Sequence, residues 1–437
     1  WGPMHWGHAV SKDLLHWQHL PIALYPDSLG YIFSGSVVVD TKNSSGFKDG
    51  AEDPLVAIFT YHNMAGEKAG TRNFQTQGLA YSTDKGRHWT KYSGNPVIKN
   101  PGNKDFRDPK VFWHEPTRHW IMSLAVGDRI QFYHSTDLKD WSLTSDFGIK
   151  EGSHGGVWEC PDLFPLAVEG STETKWVLIV SIGNGAPNGG SGTQYFVGDF
   201  DGRNFVNAQP ANTERWIDYG TDNYAGVTWS NVPDDKRLFL GWMSNWQYAR
   251  DVPTEKWRSA MTLPRQLRLV KTGDKYFVSS VPVTGLKNTR VNQKPHAITT
   301  TIFTAGPLAE IILEVDGQKT TSPSFAIELL NDKSEKITVG YNDSNHTYFI
   351  DRTQAGSTSF SPVFAARETA PRLTDAKIMK LHIFTDRSSI EVFADDGLTC
   401  LTAIYFPSAD FTKMRLVKDT GEIVFLKNEW YGLKSVW

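Results

Sequence analysis

Short apolar runs separated by polar, glycine-bearing turns fill this chain. No window carries apolar residues at the i, i+3, i+4, i+7 spacing of an amphipathic helix. Three of the runs, His8–Val10, Leu79–Tyr81 and Gln131–Tyr133, are each followed by one polar pattern. It reads Ser11-Lys-Asp13-Leu-Leu-His-Trp17, then Ser82-Thr-Asp84-Lys-Gly-Arg-His-Trp89, then Ser135-Thr-Asp137-Leu-Lys-Asp-Trp141. A degenerate fourth copy is Gly198-Asp-Phe-Asp201-Gly-Arg-Asn-Phe205, and the closing aromatics are 72, 52 and 64 residues apart. Strand, polar turn, aromatic, strand is a hairpin signal. Its recurrence at this spacing predicts the blades of a β-propeller.

Around residues 270–295 the pattern changes. Tryptophan becomes rare, and alternating segments such as Phe325–Leu330, Lys380–Phe384, Ser389–Phe393 and Leu401–Tyr405 run between turn clusters such as Asp395-Asp-Gly397. Period-2 alternation of this kind predicts a second antiparallel domain, a β-sandwich. The expected architecture is all-β, with a propeller over residues 1–285 and a sandwich over 286–437.

Bulk composition narrows the function classes. The 437 residues are 39% hydrophobic and 21% charged, as in an ordinary globular chain with a core. A net charge of −3 gives no electrostatic case for nucleic acid or an anionic membrane surface. No stretch approaches the ~18 apolar residues needed to cross a bilayer. Two cysteines 240 residues apart, Cys160 and Cys400, exclude a disulfide scaffold. Aromatics are abundant, with 16 Trp, 15 Tyr and 24 Phe, and indole faces suit the C–H faces of sugar rings as well as a core.

Two carboxylates stand out by context. Asp108 lies in Phe106-Arg107-Asp108-Pro109, just before the apolar run Lys110–Trp113, and Glu159 lies in Trp158-Glu159-Cys160-Pro161-Asp162. By local context alone each also reads as a structural strand end or an ion-paired turn. At the axial end of a propeller, however, strand ends from different blades converge, so residues far apart in sequence can meet. The aromatic setting of Glu159 is expected to keep it protonated, and Arg107 to keep Asp108 ionised. A protonated and an ionised carboxyl side by side are the pattern of acid/base sugar chemistry. Phe33-Ser34-Gly35 offers a ring and a hydroxyl to a sugar, and the Trp1–His8 and Gly241–Trp246 segments are further aromatic clusters. His5 and His8 sit on a predicted strand, where their spacing does not make a metal site. The glycine-rich stretch 183–192 lacks the Gly-Lys-Ser/Thr ending of a phosphate loop.

These motifs, in this order, resemble glycoside hydrolase family 32, the invertase, inulinase and levanase group, with bacterial levanases nearest. The resemblance rests on Met4–Asp13, His19–Tyr25, Phe33–Gly35, Phe106–Pro109, Trp158–Asp162, Gly241–Trp246 and Asp386–Phe393, and spans essentially the whole chain. It implies a five-bladed propeller followed by a β-sandwich, secretion, and retaining hydrolysis of β-D-fructofuranosides in levan, inulin or sucrose without metal or cofactor. It makes Glu159 the general acid/base and Asp108 the transition-state stabiliser. Trp1, Phe33, Ser34, Arg107 and one tryptophan of the 242–246 segment, either Trp242 or Trp246, then line the pocket for a fructan or fructo-oligosaccharide. The family's nucleophile is the Asp of a Trp-Met-Asn-Asp-Pro-Asn-Gly segment placed upstream of Trp1, and Asp13 and Asp27 belong to other motifs. Taken as a whole polypeptide, these 437 residues are expected to be inactive, with a first blade short of strands. A fructan-binding protein without catalysis and a sucrose-specific invertase are the alternatives.

Overall fold

The computed structural model describes residues 2–436, and its regular structure is almost entirely strand. Four sheets follow one another along the first half of the chain. The first pairs β1 (Trp6–Ser11) with β2 (Trp17–Leu24). The second is the meander β3 (Tyr31–Val39), β4 (Leu55–His62), β5 (Gln75–Ser82) and β6 (Thr90–Lys91). The third is β7 (Arg107–His114), β8 (His119–Val126), β9 (Arg129–Ser135) and β10 (Ser142–Phe147). The fourth is β11 (Trp158–Ala167), β12 (Thr174–Ile182), β13 (Gly192–Phe200) and β14 (Phe205–Asn207). The opening strands pack side by side, β3 against β7 and β7 against β11. A fifth sheet joins β15 (Tyr224–Thr228), β16 (Arg237–Met243), β18 (Arg265–Thr272) and β19 (Lys275–Pro282), with β17 (Ala260–Met261) on β16.

The repeat pattern explains the hairpins. In the third copy Ser135 Oγ accepts from the Leu138 amide at 2.9 Å, and Asp137 Oδ1 accepts from the Lys139 and Asp140 amides, each at 2.9 Å. The Trp141 indole then donates to the Leu138 carbonyl at 2.9 Å. Asp13 and Trp17 repeat this scheme, with the indole donating to Leu14 O at 3.1 Å, as do Asp84 and Trp89, with the indole on Gly86 O at 3.0 Å. Asp201 keeps the carboxylate part, accepting from the Arg203 and Asn204 amides. Side-chain oxygens thus satisfy turn amides that no ladder reaches. These turns join β5 to β6, β9 to β10 and β13 to β14, the third and fourth strands of their sheets. The Ser11–Trp17 turn joins β1 to β2, so that pair takes the place of a third and a fourth strand.

The C-terminal strands form two further sheets. One has six strands in the order Phe303–Thr304, Lys413–Lys418, Ser324–Leu330, Lys336–Asn342, Thr347–Asp351, Arg367–Pro371. The other has five, in the order Thr399–Ile404, Ser389–Ala394, Ile378–Thr385, Ala309–Asp316, Phe425–Gly432.

By contact the chain divides into two compact units. One comprises 1–183, 194–215 and 227–237; the other comprises 184–193, 216–226 and 238–437. The first is centred on apolar side chains such as Val56, Leu79, Phe106, Val111 and Met122. In the second, Met243, Tyr248, Val252, Phe364 and Ile404 pack as one cluster. The short segment 216–226 belongs with residues of the C-terminal sheets through buried ion pairs. Arg265 bonds Asp218 at 2.8 Å and Glu391 at 2.6 Å, and Arg352 bonds Asp222 at 2.7 Å. Cys160 and Cys400 are free thiols.

Candidate active site

Three opening strands share one irregularity. The register of β3 shifts between Ile32 and Gly35, that of β7 between Arg107 and Lys110, and that of β11 between Glu159 and Asp162. A β-bulge re-aims the side chains around it, and here the residues within or flanking the shift are Phe33-Ser34, Arg107-Asp108 and Glu159-Cys160. Asp108 and Cys160 hold φ of +64° and +48°. Such backbone costs about 1–3 kcal/mol for a non-glycine residue and persists only where bonds on several sides hold it.

Those bonds interlock the two motifs. Asp108 Oδ2 accepts the Cys160 amide at 3.0 Å and lies 3.7 Å from the Cys160 thiol, while the Asp108 amide donates to Thr60 Oγ1 at 3.1 Å. Thr60 in turn donates to Gln77 Oε1 at 2.7 Å, and Gln77 Nε2 donates to the Phe106 carbonyl at 2.9 Å. Gln75 Oε1 accepts from the Phe106 amide at 2.8 Å. A shelf of buried hydroxyl and amide groups therefore carries the Arg-Asp-Pro bend, which begins β7 rather than preceding it.

Arg107 is placed differently from the sequence expectation. Its Nε and Nη2 both donate to Glu159 Oε1, at 3.1 and 3.0 Å, and its Nη1 donates to Asp105 Oδ1 at 2.6 Å. The cation expected to hold Asp108 ionised thus bonds Glu159. Burial raises the Asp108 pKa, Arg107 opposes it, and the nearby Glu159 charge adds to it, leaving the group pushed up to about 6. The residue is only 7% exposed, so desolvation outweighs the attraction of the cation. Burial also opposes the charge of Arg107, but Asp108, Glu159 and Asp105 together raise its pKa. The Cys160 thiol is pushed up by burial and by the two carboxylates.

Phe33 joins this group through His62. Their rings stack in parallel with centroids 4.2 Å apart. His62 meets Gln75 on one ring nitrogen, at 3.3 Å, and Glu67 on the other, at 3.1 Å. Burial lowers the His62 pKa, with Glu67 opposing and Arg107 reinforcing the shift. Glu67 lies on a one-turn helix, Met64–Lys68, whose N-cap Asn63 accepts from the Gly66 amide at 2.9 Å. Five residues are too few to show a helical period in the sequence. Ser34 is exposed beside Phe33.

The bulges and their bonds therefore bring together Asp108, Glu159, Arg107 and Phe33, with Ser34 adjoining. In the other compact unit Trp242 and Trp246 pack on each other, centroids 5.0 Å apart, and Trp246 is 42% exposed. Trp1 lies outside the described residues. Sequence reasoning passed over Asp105, Thr60, His62, Gln75 and Gln77. A signal existed for the glutamines: two amides at i and i+2 on one face of a strand that continues into Leu79-Ala80 are polar groups that need partners when buried.

Known proteins resemble this chain along its whole length. The model for the glycosyl hydrolases family 32 N-terminal domain matches residues 1–280, and that for the family 32 C terminal matches 279–431. The chain is 49% identical over 449 residues to a levanase of Bacillus subtilis, covering all of this chain and 65% of the relative. It is 37% identical to an extracellular exo-inulinase of Aspergillus awamori, covering 88% of that protein. Among solved structures, an exo-inulinase from A. awamori superposes with a TM-score of 0.91 at 36% identity, over 100% of this chain and 91% of that one. A β-fructofuranosidase of Schwanniomyces occidentalis complexed with fructosyl-erythritol gives 0.85 at 33% identity, over 99% and 89%. The all-β N-terminal and C-terminal sheets fit the propeller and β-sandwich expected of this family, and the chain belongs to glycoside hydrolase family 32.

Proposed function

We propose that this chain is the catalytic part of a secreted, retaining β-fructosidase acting on fructans, with levan the first candidate substrate. The carrying observation is that Asp108 and Glu159, 51 positions apart, converge through Cys160 and Arg107. Glu159 protonates the departing glycosidic oxygen and later deprotonates the water that releases fructose. Asp108, ionised, accepts fructose hydroxyls and offsets oxocarbenium-like charge. Arg107 has one Nη2 hydrogen beyond the four spent on Glu159, Asp105 and Gln75, and that donor serves a sugar hydroxyl. Phe33 and Ser34, which flank the β3 bulge, contribute a ring and a hydroxyl to the fructose pocket. The propeller has five blades, and the sandwich begins near residue 286. The exo-inulinase relatives carry "extracellular" in their names, which supports a place outside the cell.

Double displacement needs a nucleophilic Asp, which the family resemblance puts upstream of Trp1. Asp13 and Asp27 do not take that role. Asp13 caps its own turn, and Asp27 is held by Tyr61 at 2.9 Å and Lys91 at 2.5 Å. Fructan binding without turnover is the second reading, and a levan assay separates it from catalysis. Reducing-sugar release from levan by the full natural polypeptide tests the first reading. Glu159→Gln should lower it by orders of magnitude while levan binding is kept, and an unchanged rate would remove Glu159 from its role. Relative rates on levan, inulin and sucrose assign the substrate, and chromatography of a levan digest separates single fructose units from longer fragments.

A further inference from the structure

Arg107 serves two carboxylates at once, and the contact with Asp105 is the shorter. Nη1 meets Asp105 Oδ1 at 2.6 Å, whereas Nε and Nη2 both converge on one oxygen of Glu159 at 3.1 and 3.0 Å. A bidentate pair would give each carboxylate oxygen its own N–H. Here the guanidinium is turned, with Nη1 drawn toward Asp105 and Gln75 Oε1, the latter at 3.4 Å. All three charged groups are largely shielded, with side-chain exposures of 14% for Arg107, 25% for Asp105 and 23% for Glu159. Coulomb interactions among them are therefore stronger than in open water.

This creates a requirement that the proposed chemistry must meet. A general acid has to carry a proton when substrate is bound, yet an arginine committed wholly to it would hold it ionised. We infer that Asp105 is a positioning residue that divides the charge of Arg107, so that Glu159 is aimed by the guanidinium without being locked in its ionised form. The inference rests on the general-acid role proposed for Glu159. Among the described residues, those near it include Arg107 and Asp108 from β7, the Cys160 thiol on its own strand, and Ser181, its register partner on β12. Those facing Arg107 besides the carboxylates are Gln75 from β5 and His62 from β4, with Glu67 behind His62. Of the carboxylates bonded to Arg107, Asp105 is the one the reaction scheme does not otherwise use.

The test is the pH dependence of kcat/KM on levan for the full natural polypeptide, its Asp105→Asn and Asp105→Glu variants, and Glu159→Gln. Removing the Asp105 charge leaves Glu159 the one charged carboxylate bonded to Arg107, so the alkaline limb of Asp105→Asn should move to lower pH by about half a unit to one unit. At a pH on that limb this is a roughly three- to tenfold loss of rate, against a small change near the optimum. Asp105→Glu, which keeps the charge, should leave the limb within about 0.2 units of the parent's. A limb that stays in place in Asp105→Asn, or an equal loss of rate at every pH, overturns the inference and leaves Asp105 a purely structural ion pair. If instead Glu159→Gln turns over levan at the parent rate, the general-acid reading itself fails, and the charge-sharing inference fails with it.

Discussion

At the residue scale the site is governed by where desolvation and one cation fall. Asp108 is adjacent to Arg107 in sequence, but the bulge sends the guanidinium to Glu159 and leaves Asp108 buried, with its pKa pushed up to about 6. Because ionised Asp108 is the working form in the proposed mechanism, activity should rise as pH climbs through about 5 to 7. Asp108→Asn should abolish that acid limb together with nearly all turnover. The linkage runs the other way for stability. A carboxyl whose folded pKa lies above its unfolded value stabilises the fold in acid, and that contribution is lost as pH rises through the folded value. Asp108→Asn, which can still accept the Cys160 amide, should therefore be more stable than the parent at pH 7, by about 1–3 kcal/mol. Chemical denaturation at pH 4 and pH 7 checks this, since the advantage should vanish at the lower pH.

At the scale of elements, two devices build the sheets and the site. The Ser-x-Asp turns hold the hairpins, and removing a carboxylate that accepts two backbone amides should be felt locally. Asp137→Ala is expected to cost about 1–2 kcal/mol, seen as a lower denaturant midpoint with an unchanged slope. The bulge in β3 depends on close approach to β4. A Cβ on Gly35 would lie 2.1 Å from the Ile58 carbonyl oxygen and 2.6 Å from the Phe59 Cα. Neither backbone atom can yield cheaply, so Gly35→Ala should push β3 away and displace Phe33 and Ser34 with it. We expect a loss of roughly 2 kcal/mol or more and weaker levan binding, measured by equilibrium denaturation and by retention on immobilised levan.

At the scale of the whole molecule, the second compact unit is stitched by buried charge. Asp222 and Glu368 both bond Arg352, at 2.7 and 3.4 Å, and all three side chains are fully buried. Two carboxylates with one guanidinium leave a surplus negative charge in a dry interior. Burial raises the Glu368 pKa, Arg352 opposes this and Asp222 adds to it, giving about 7. The folded value exceeds the unfolded one, so this group favours folding in acid, and its contribution fades as pH rises from about 4.5 to 7. Glu368→Gln should flatten that part of the stability profile. Arg352→Ala leaves buried carboxylates without their cation and should cost about 3–5 kcal/mol, visible as a drop in Tm or as failure to fold.

Much of the architecture was legible along the chain. The absence of helical periodicity, the Ser-x-Asp turns closed by Trp17, Trp89 and Trp141, and the alternation after residue 300 are local patterns, and local hydrogen bonds realise them directly. The acidic motifs at Asp108 and Glu159 were legible too, because Arg-Asp-Pro and Glu-Cys-Pro are contiguous. Tertiary structure alone decided which carboxylate the guanidinium of Arg107 touches, that Asp105 shares it, and that Thr60, Gln75 and Gln77 form the shelf beneath. It also decided that 216–226 lies with residues from beyond 260 through Arg265 and Arg352. Turns and alternation are set by neighbours a few residues apart. The fate of a charge depends on how much water is excluded around it and on which distant strand reaches it first, and neither is written in residues that adjoin it.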